Sequence, residues 1–207
     1  MAKKSLFTFD RWDFLGTRIV LVVIALGSVA VGVVVPLVRM VQGEPLIRQL
    51  ETGRTDALVT DQLTANGGAA LTWPGTVDAR IEDAEVGTWL TSILPGAVLV
   101  IGTVIVVLAL FRLLSSIEAG APFAPAAVRS LRIVGATLLA GSVLVTVADS
   151  FANRAVLEVA VILRGETTFM LDLGAVVVFA GAGLMCAAIA EAFARGVELA
   201  SDVEGLV

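Results

Sequence analysis

Four stretches of this chain carry no charge: residues 19–38, 89–111, 133–148 and 173–190, of 20, 23, 16 and 18 residues. A helix of about 20 residues rises about 30 Å, which matches the hydrocarbon thickness of a bilayer. Nothing else in the sequence constrains the fold as strongly. Water solvates long uncharged runs poorly, and one short core could not bury four of them. Composition agrees: 57% of residues are hydrophobic and 16% charged, where soluble domains carry about a quarter charged residues. The expected fold class is all-α transmembrane: a four-helix membrane bundle with a small extracytoplasmic β-sheet formed by the two outer loops.

The segments follow in order. Residues 1–18 form a cytoplasmic N-terminal segment, 19–41 the first span and 42–88 an extracytoplasmic loop with short strands. Residues 89–114 form the second span, 115–128 a cytoplasmic bridge and 129–149 the third span. Residues 150–171 form an extracytoplasmic hairpin, 172–194 the fourth span and 195–207 a cytoplasmic tail. Lys3, Lys4, Arg11 and Arg18 are mixed with Phe7, Phe9, Trp12 and Phe14. That mix suits a segment lying at the headgroups with Trp12 as anchor, or a plain basic flank. A cleavable signal is the competing reading of the first run, with Ser28 and Ala30 as small residues before a cut. The apolar run continues past them through VGVVVPLV, longer than such a signal needs.

The first loop, 41–88, holds eight acids and three bases. Loops poor in Lys and Arg lie outside the cytoplasm. Residues 76–82 alternate Val77, Ala79 and Ile81 with Asp78, Arg80 and Glu82, the period of a half-buried strand. Asn66-Gly67-Gly68 and Trp73-Pro74-Gly75 are turn signals around 69–72. A short helix is expected near 46–50. In the second loop, 155–163 is rich in β-branched residues and Arg164-Gly165-Glu166 suits a turn, so a hairpin is expected there. A re-entrant segment is the alternative.

Between the second and third spans, the helix is expected to stop at Gly120, and Pro125 suits the first turn of the next helix. In the fourth run Ala182, Cys186 and Ala190 recur every four residues, as do Gly183 and Ala187. Small residues at that spacing let helices approach closely. The basic residues Lys3, Lys4, Arg11, Arg18, Arg112, Arg129, Arg132 and Arg195 fall on one side, against six on the other. The outer loops are about three times longer than the bridge, so density places both termini in the cytoplasm.

Chemistry finds little purchase. With no His, one Cys and no acids inside the spans, zinc and paired-thiol chemistry lack ligands. Asp78, Glu82, Asp83 and Glu85 do not follow calcium-loop spacing. No glycine-rich loop leads into a Lys, and no basic block marks nucleic-acid contact. No cofactor is expected, nor an enzyme. Ion paths need ionisable groups at membrane depth, and the spans offer only hydroxyls and Cys186. A small transporter for uncharged solutes, or a homo-oligomeric pore, is the second functional class; an accessory subunit of a membrane complex is the third.

The polar constellation singled out is Glu191 with Arg132. One ends the fourth run and the other begins the third, at similar depth on the same side. Arg129 lies three residues before Arg132, and Arg195 four after Glu191, in ion-pair spacing. Phe123 and Leu206 are apolar residues beside polar rims, candidates for a partner contact or for docking onto the bundle itself.

The bridge GAPFAPAAVRSLRIVG, with Gly120, Pro122, Phe123, Leu131, Arg132 and Gly135, resembles a known family. So does the tail AEAFARGVELASDVEGLV, with Glu191, Phe193, Gly196, Leu199, Asp202, Glu204, Leu206 and Val207. The family is the small bacterial membrane proteins grouped as domain of unknown function (DUF) 2975. Relatives often end in a Leu-Thr-Val-like tip, where this chain ends Gly-Leu-Val. The resemblance implies four spans, no established activity, and a neighbouring helix-turn-helix regulator as cytoplasmic partner. The resulting expectation is a membrane sensor or regulator held in the lipid bilayer of the cell membrane.

Overall fold

A computed structural model describes residues 11–51, 70–72, 76–121, 124–160 and 173–204. In order these form α1 (Arg11–Val29), a π-helical turn (Ala30–Val34), α2 (Val35–Val41), β1 (Leu46–Glu51), β2 (Ala70–Thr72) and β3 (Thr76–Ile81). Three long helices follow: α3 (Val86–Glu118), α4 (Pro125–Ala160) and α5 (Leu173–Glu204). Four helices are long and apolar enough to cross a membrane: Arg11–Val41, Val86–Glu118, Pro125–Val156 and Val176–Gly196. Their apolar side chains stay exposed, among them Val23, Leu26, Ile101, Leu108, Val177, Val178 and Met185. Such surface is stable only where lipid covers it. This is a multi-pass membrane protein with a predominantly helical fold.

The π turn has a local cause. Pro36 has no N–H for the Gly32 carbonyl four residues back, and its ring crowds that oxygen. The chain widens through Ala30–Val34, and the Val35 N–H bonds Ala30 O instead. Glycines end two helices as expected from their freedom at positive φ. At Gly43 (φ 68°) and Gly120 (φ 74°) the backbone turns left-handed. Gly43 N donates to Met40 O and Glu44 N to Arg39 O; Gly120 N donates to Ile117 O and Ala121 N to Ser116 O. Pro125 then opens α4. The stop at Gly120 and the start at Pro125 are both where the sequence puts them.

The chain divides into two compact units. The first comprises Met1–Gly27, Ile101–Gly141 and Val177–Val207. Its helices meet at a glycine crossing. A Cβ on Gly135 would lie 2.9 Å from Gly183 O and 3.2 Å from Ala187 N, and one on Gly183 would lie 2.8 Å from Gly135 O. The Gly183–Ala187 row of small residues is therefore an interface, facing Gly135 on α4.

The second unit comprises Ser28–Val100 and Ser142–Val176. It holds a three-stranded antiparallel sheet in the order β1-β3-β2. Leu46, Ala79, Ile81, Trp89 and Val156 form its core, flanked by Met40 and Ala84. Ala79 and Ile81 are buried while Arg80 is exposed, the alternation read in the sequence. The same unit contains a second glycine contact. Gly32 of the π turn meets Gly96 of α3 so closely that a Cβ on Gly96 would lie 3.0 Å from the Gly32 carbonyl carbon.

Two expectations for this region are corrected. Residues 46–50 form strand β1 and no helix. Residues 155–160, expected in a hairpin, continue α4. Their β-branched residues suggested a strand, but the helical period prevails. Ala152 and Val156, four apart, are both fully buried, and Arg154 Nε donates to Glu158 Oε1 at 2.9 Å, also four apart. The described strands all come from the first loop. Residues 161–172, the remainder of the expected hairpin, lie outside the described residues.

Candidate functional site

The most developed polar site lies in the second unit, on Arg48. β1 alternates Leu46 and Arg48 on one face with Ile47 and Gln49 on the other. Leu46 pairs with Ile81 and Arg48 with Ala79. Arg48 therefore occupies a core-facing position beside buried Leu46, opposite a residue small enough to leave room for a guanidinium. Its side chain is only 15% exposed.

All three nitrogens of that guanidinium are used. Nε donates to Asn153 Oδ1 at 2.6 Å. Nη1 donates to the Ser92 carbonyl at 3.2 Å. Nη2 donates to Asp149 Oδ1 in a short ion pair. Asn153 Nδ2 in turn donates to Asp149 Oδ2 at 3.1 Å, so one α4 residue orients the other. Asp149 and Asn153 are four apart on α4 and present one face. Ser92 lies on α3 one turn before Pro95. Its own hydroxyl is buried and has no partner among the described residues. Burial lowers the Arg48 pKa from its ordinary value, and the Asp149 carboxylate pulls it back up. One strand side chain thus ties the sheet to two long helices.

The residues singled out in the sequence fall mostly in the first unit. Arg132 Nη2 donates to Glu191 Oε2 at 3.3 Å, joining α4 to α5. Arg195 Nε donates to Glu191 Oε1 at 3.2 Å along α5. One carboxylate thus serves two arginines. All three side chains are more than half exposed, and such pairs contribute about 0.2–1 kcal/mol. Glu191→Gln is accordingly expected to shift stability by less than about 1 kcal/mol, read as a detergent melting curve. A loss several times larger would mean that the triad carries the bundle. Phe123 and Leu206 lie outside the described residues.

Arg18 Nη2, at the other end of the chain, donates to Glu118 Oε2 at 2.7 Å and to Ser115 Oγ at 3.3 Å. Beside this pair an open cleft of about 760 Å³ runs between the end of α3 and the start of α4. Arg112, Arg129, Ser115, Ser116 and Ser130 line it, over Phe111 and Ile133. Among the described residues no group of three His, Cys, Asp or Glu is placed to hold a metal ion.

A family model described as a protein of unknown function (DUF2975) matches residues 60–206. The chain belongs to the DUF2975 family. The match spans α3, α4 and α5 and so carries Asp149, Asn153, Arg112, Arg129, Arg132 and Glu191. Arg48 and the first membrane-crossing helix precede the DUF2975 segment. Searches of curated proteins and of solved structures find no match.

The sequence shows Arg48 only as one of the first loop's three bases and Asp149 only as the charge that ends the third uncharged run. They are 101 positions apart, and no local pattern joins them. The one signal available was an arginine between two leucines at strand spacing.

Proposed function

We propose that this chain is a non-enzymatic sensor or regulator of the cell membrane. Its sheet and loops face outward, both termini lie in the cytoplasm, and it acts with a cytoplasmic helix-turn-helix protein. The observation that carries this reading is the Arg48 latch. A sheet serving only as a cover needs no buried cation. One fastened through three partners to α3 and α4 transmits a displacement of the sheet to both helices. Packed elements with discrete arrangements are the physical means of coupling distant sites. The sheet expected to draw on both loops would add strands from residues 161–172. The density of basic residues in the N-terminal segment and flanking the bridge supports the assigned orientation.

The test is purification of the full chain from its native membranes in mild detergent. A stoichiometric DNA-binding protein is expected to co-purify, and to be released when Asp149→Asn loosens the latch. A chain that purifies without such a partner and carries solute across liposomes would establish the transporter reading instead.

A further inference from the structure

The cleft at the end of α3 carries charge that the fold leaves unused. Among the described residues, Arg112 and Arg129 make no ion pair, whereas Arg18, Arg39, Arg48, Arg132, Arg154 and Arg195 each do. Arg112 and Arg129 are both exposed and line the same cleft. The neighbouring acid, Glu118, is already held by Arg18. Two guanidiniums therefore face the opening with no countercharge among the residues whose side chains the structure describes.

The other walls narrow the choice of ligand. Ser115 and Ser130 spend their hydroxyl protons on Phe111 O and Ala126 O, one turn back on their own helices. Their oxygens are left mainly as acceptors, and the anion must be met by the arginines. Phe111, Ala119, Ala126 and Ile133 make an apolar floor. A cationic rim over an apolar floor fits an amphiphile with an anionic head. Planar guanidiniums bind phosphate oxygens in pairs, and a volume of this size is ordinary for a small-molecule site. Both walls belong to membrane-crossing helices, α3 and α4, so lipid is the amphiphile at hand.

We propose that this cleft binds the phosphate group of an anionic phospholipid, held by Arg112 and Arg129 with its apolar part on Phe111 and Ile133. The site goes beyond the sensor reading and stands whether or not a regulator docks on the tail.

The experiment uses the full chain in neutral detergent, with bound lipid counted by native mass spectrometry. Phosphatidylglycerol is offered against phosphatidylcholine, and inorganic phosphate separately. The expected result is preferential retention of phosphatidylglycerol. The preference should fall about twenty-five-fold in R112Q/R129Q, since each arginine near an anionic surface contributes about fivefold. The charge-conserving R112K/R129K should keep most of it. R195Q, which removes one exposed charge already paired with Glu191, should change it little. Circular dichroism melts should coincide for all variants. Equal retention of the two lipids overturns the proposal, as does a loss no greater than that in R195Q. Retention of inorganic phosphate alone overturns the lipid assignment. So does a preference that emerges only after the tail acids Glu198, Asp202 and Glu204 are neutralised, because the cleft would then belong to the chain's own carboxylates.

Discussion

Asp149→Ala is expected to destabilise the protein by about 3 kcal/mol, and Arg48→Met by about 1 kcal/mol, although both remove the same ion pair. The asymmetry follows from exposure. Arg48 is 15% exposed and Asp149 49%. Removing the carboxylate strands a cation on the apolar face of β1, with Asn153 and a carbonyl as its remaining partners. A buried charge left without its counter-ion is among the costliest single changes. Removing the cation instead leaves a half-exposed carboxylate that water can resolvate, still hydrogen-bonded to Asn153. The methionine replaces a charge with apolar volume at a core position. Melting in mild detergent gives both values, and protease cutting within residues 52–69 reports whether the sheet has come loose. Equal costs, or the reverse order, would show that Arg48 is held by its stem rather than by its charge.

The pH behaviour of the latch has a definite sign. Burial lowers the Arg48 pKa in the folded state, so the unfolded chain holds that proton more tightly. Stability from this group therefore rises only as pH climbs toward the ordinary guanidinium value. At cellular pH both states are fully protonated. Arg48 then acts as a fixed charge, a fastening rather than a proton sensor.

What the sequence disclosed and what it hid divide along physical lines. Membrane helices announce themselves because lipid tolerates no charge over about 20 residues, so all four crossings were legible. Gly120 was legible because a left-handed helix stop has few residue choices. The alternation from Val77 to Glu82 was legible because no charge interrupts its buried side. β1 was misread because Arg48 breaks the apolar alternation at its centre, leaving Leu46 and Leu50 at helical spacing. Residues 155–160 were misread because Val156 and Val159 look like strand material. The burial of Val156 is decided by Leu46, Ala79 and Trp89, which come from other parts of the chain. The Arg132–Glu191 contact followed from depth alone, since both residues bound uncharged runs on one side. The Arg48–Asp149 contact needs the sheet to be built first.

The glycines test the packing itself. Gly96→Ala is expected to cost about 3 kcal/mol, the upper part of the range for overpacking, because the obstacle is backbone. The new methyl would meet the Gly32 carbonyl oxygen inside any allowed contact, with the Gly32 carbonyl carbon at 3.0 Å and its Cα at 3.1 Å. No rotamer relieves that clash, so α3 and the π turn must separate. The π turn cannot yield easily either, because Pro36 already forbids the regular helical bond to that same carbonyl. Gly102→Ala, two turns further along α3, supplies the control. Its methyl would find only Thr137 Cγ2, at 3.8 Å, an ordinary contact. There the gain in helix propensity, up to about 1 kcal/mol, goes unopposed, and the substitution should be neutral or stabilising. Gly183→Ala falls between. Gly135 O at 2.8 Å is fixed, while Leu139 Cγ at 2.9 Å can move, so about 1–2 kcal/mol is expected. Melting temperatures of the three variants in one detergent should rank Gly102→Ala highest and Gly96→Ala lowest. A Gly96→Ala protein that melts with the parent would mean that α3 and the π turn do not touch in the membrane.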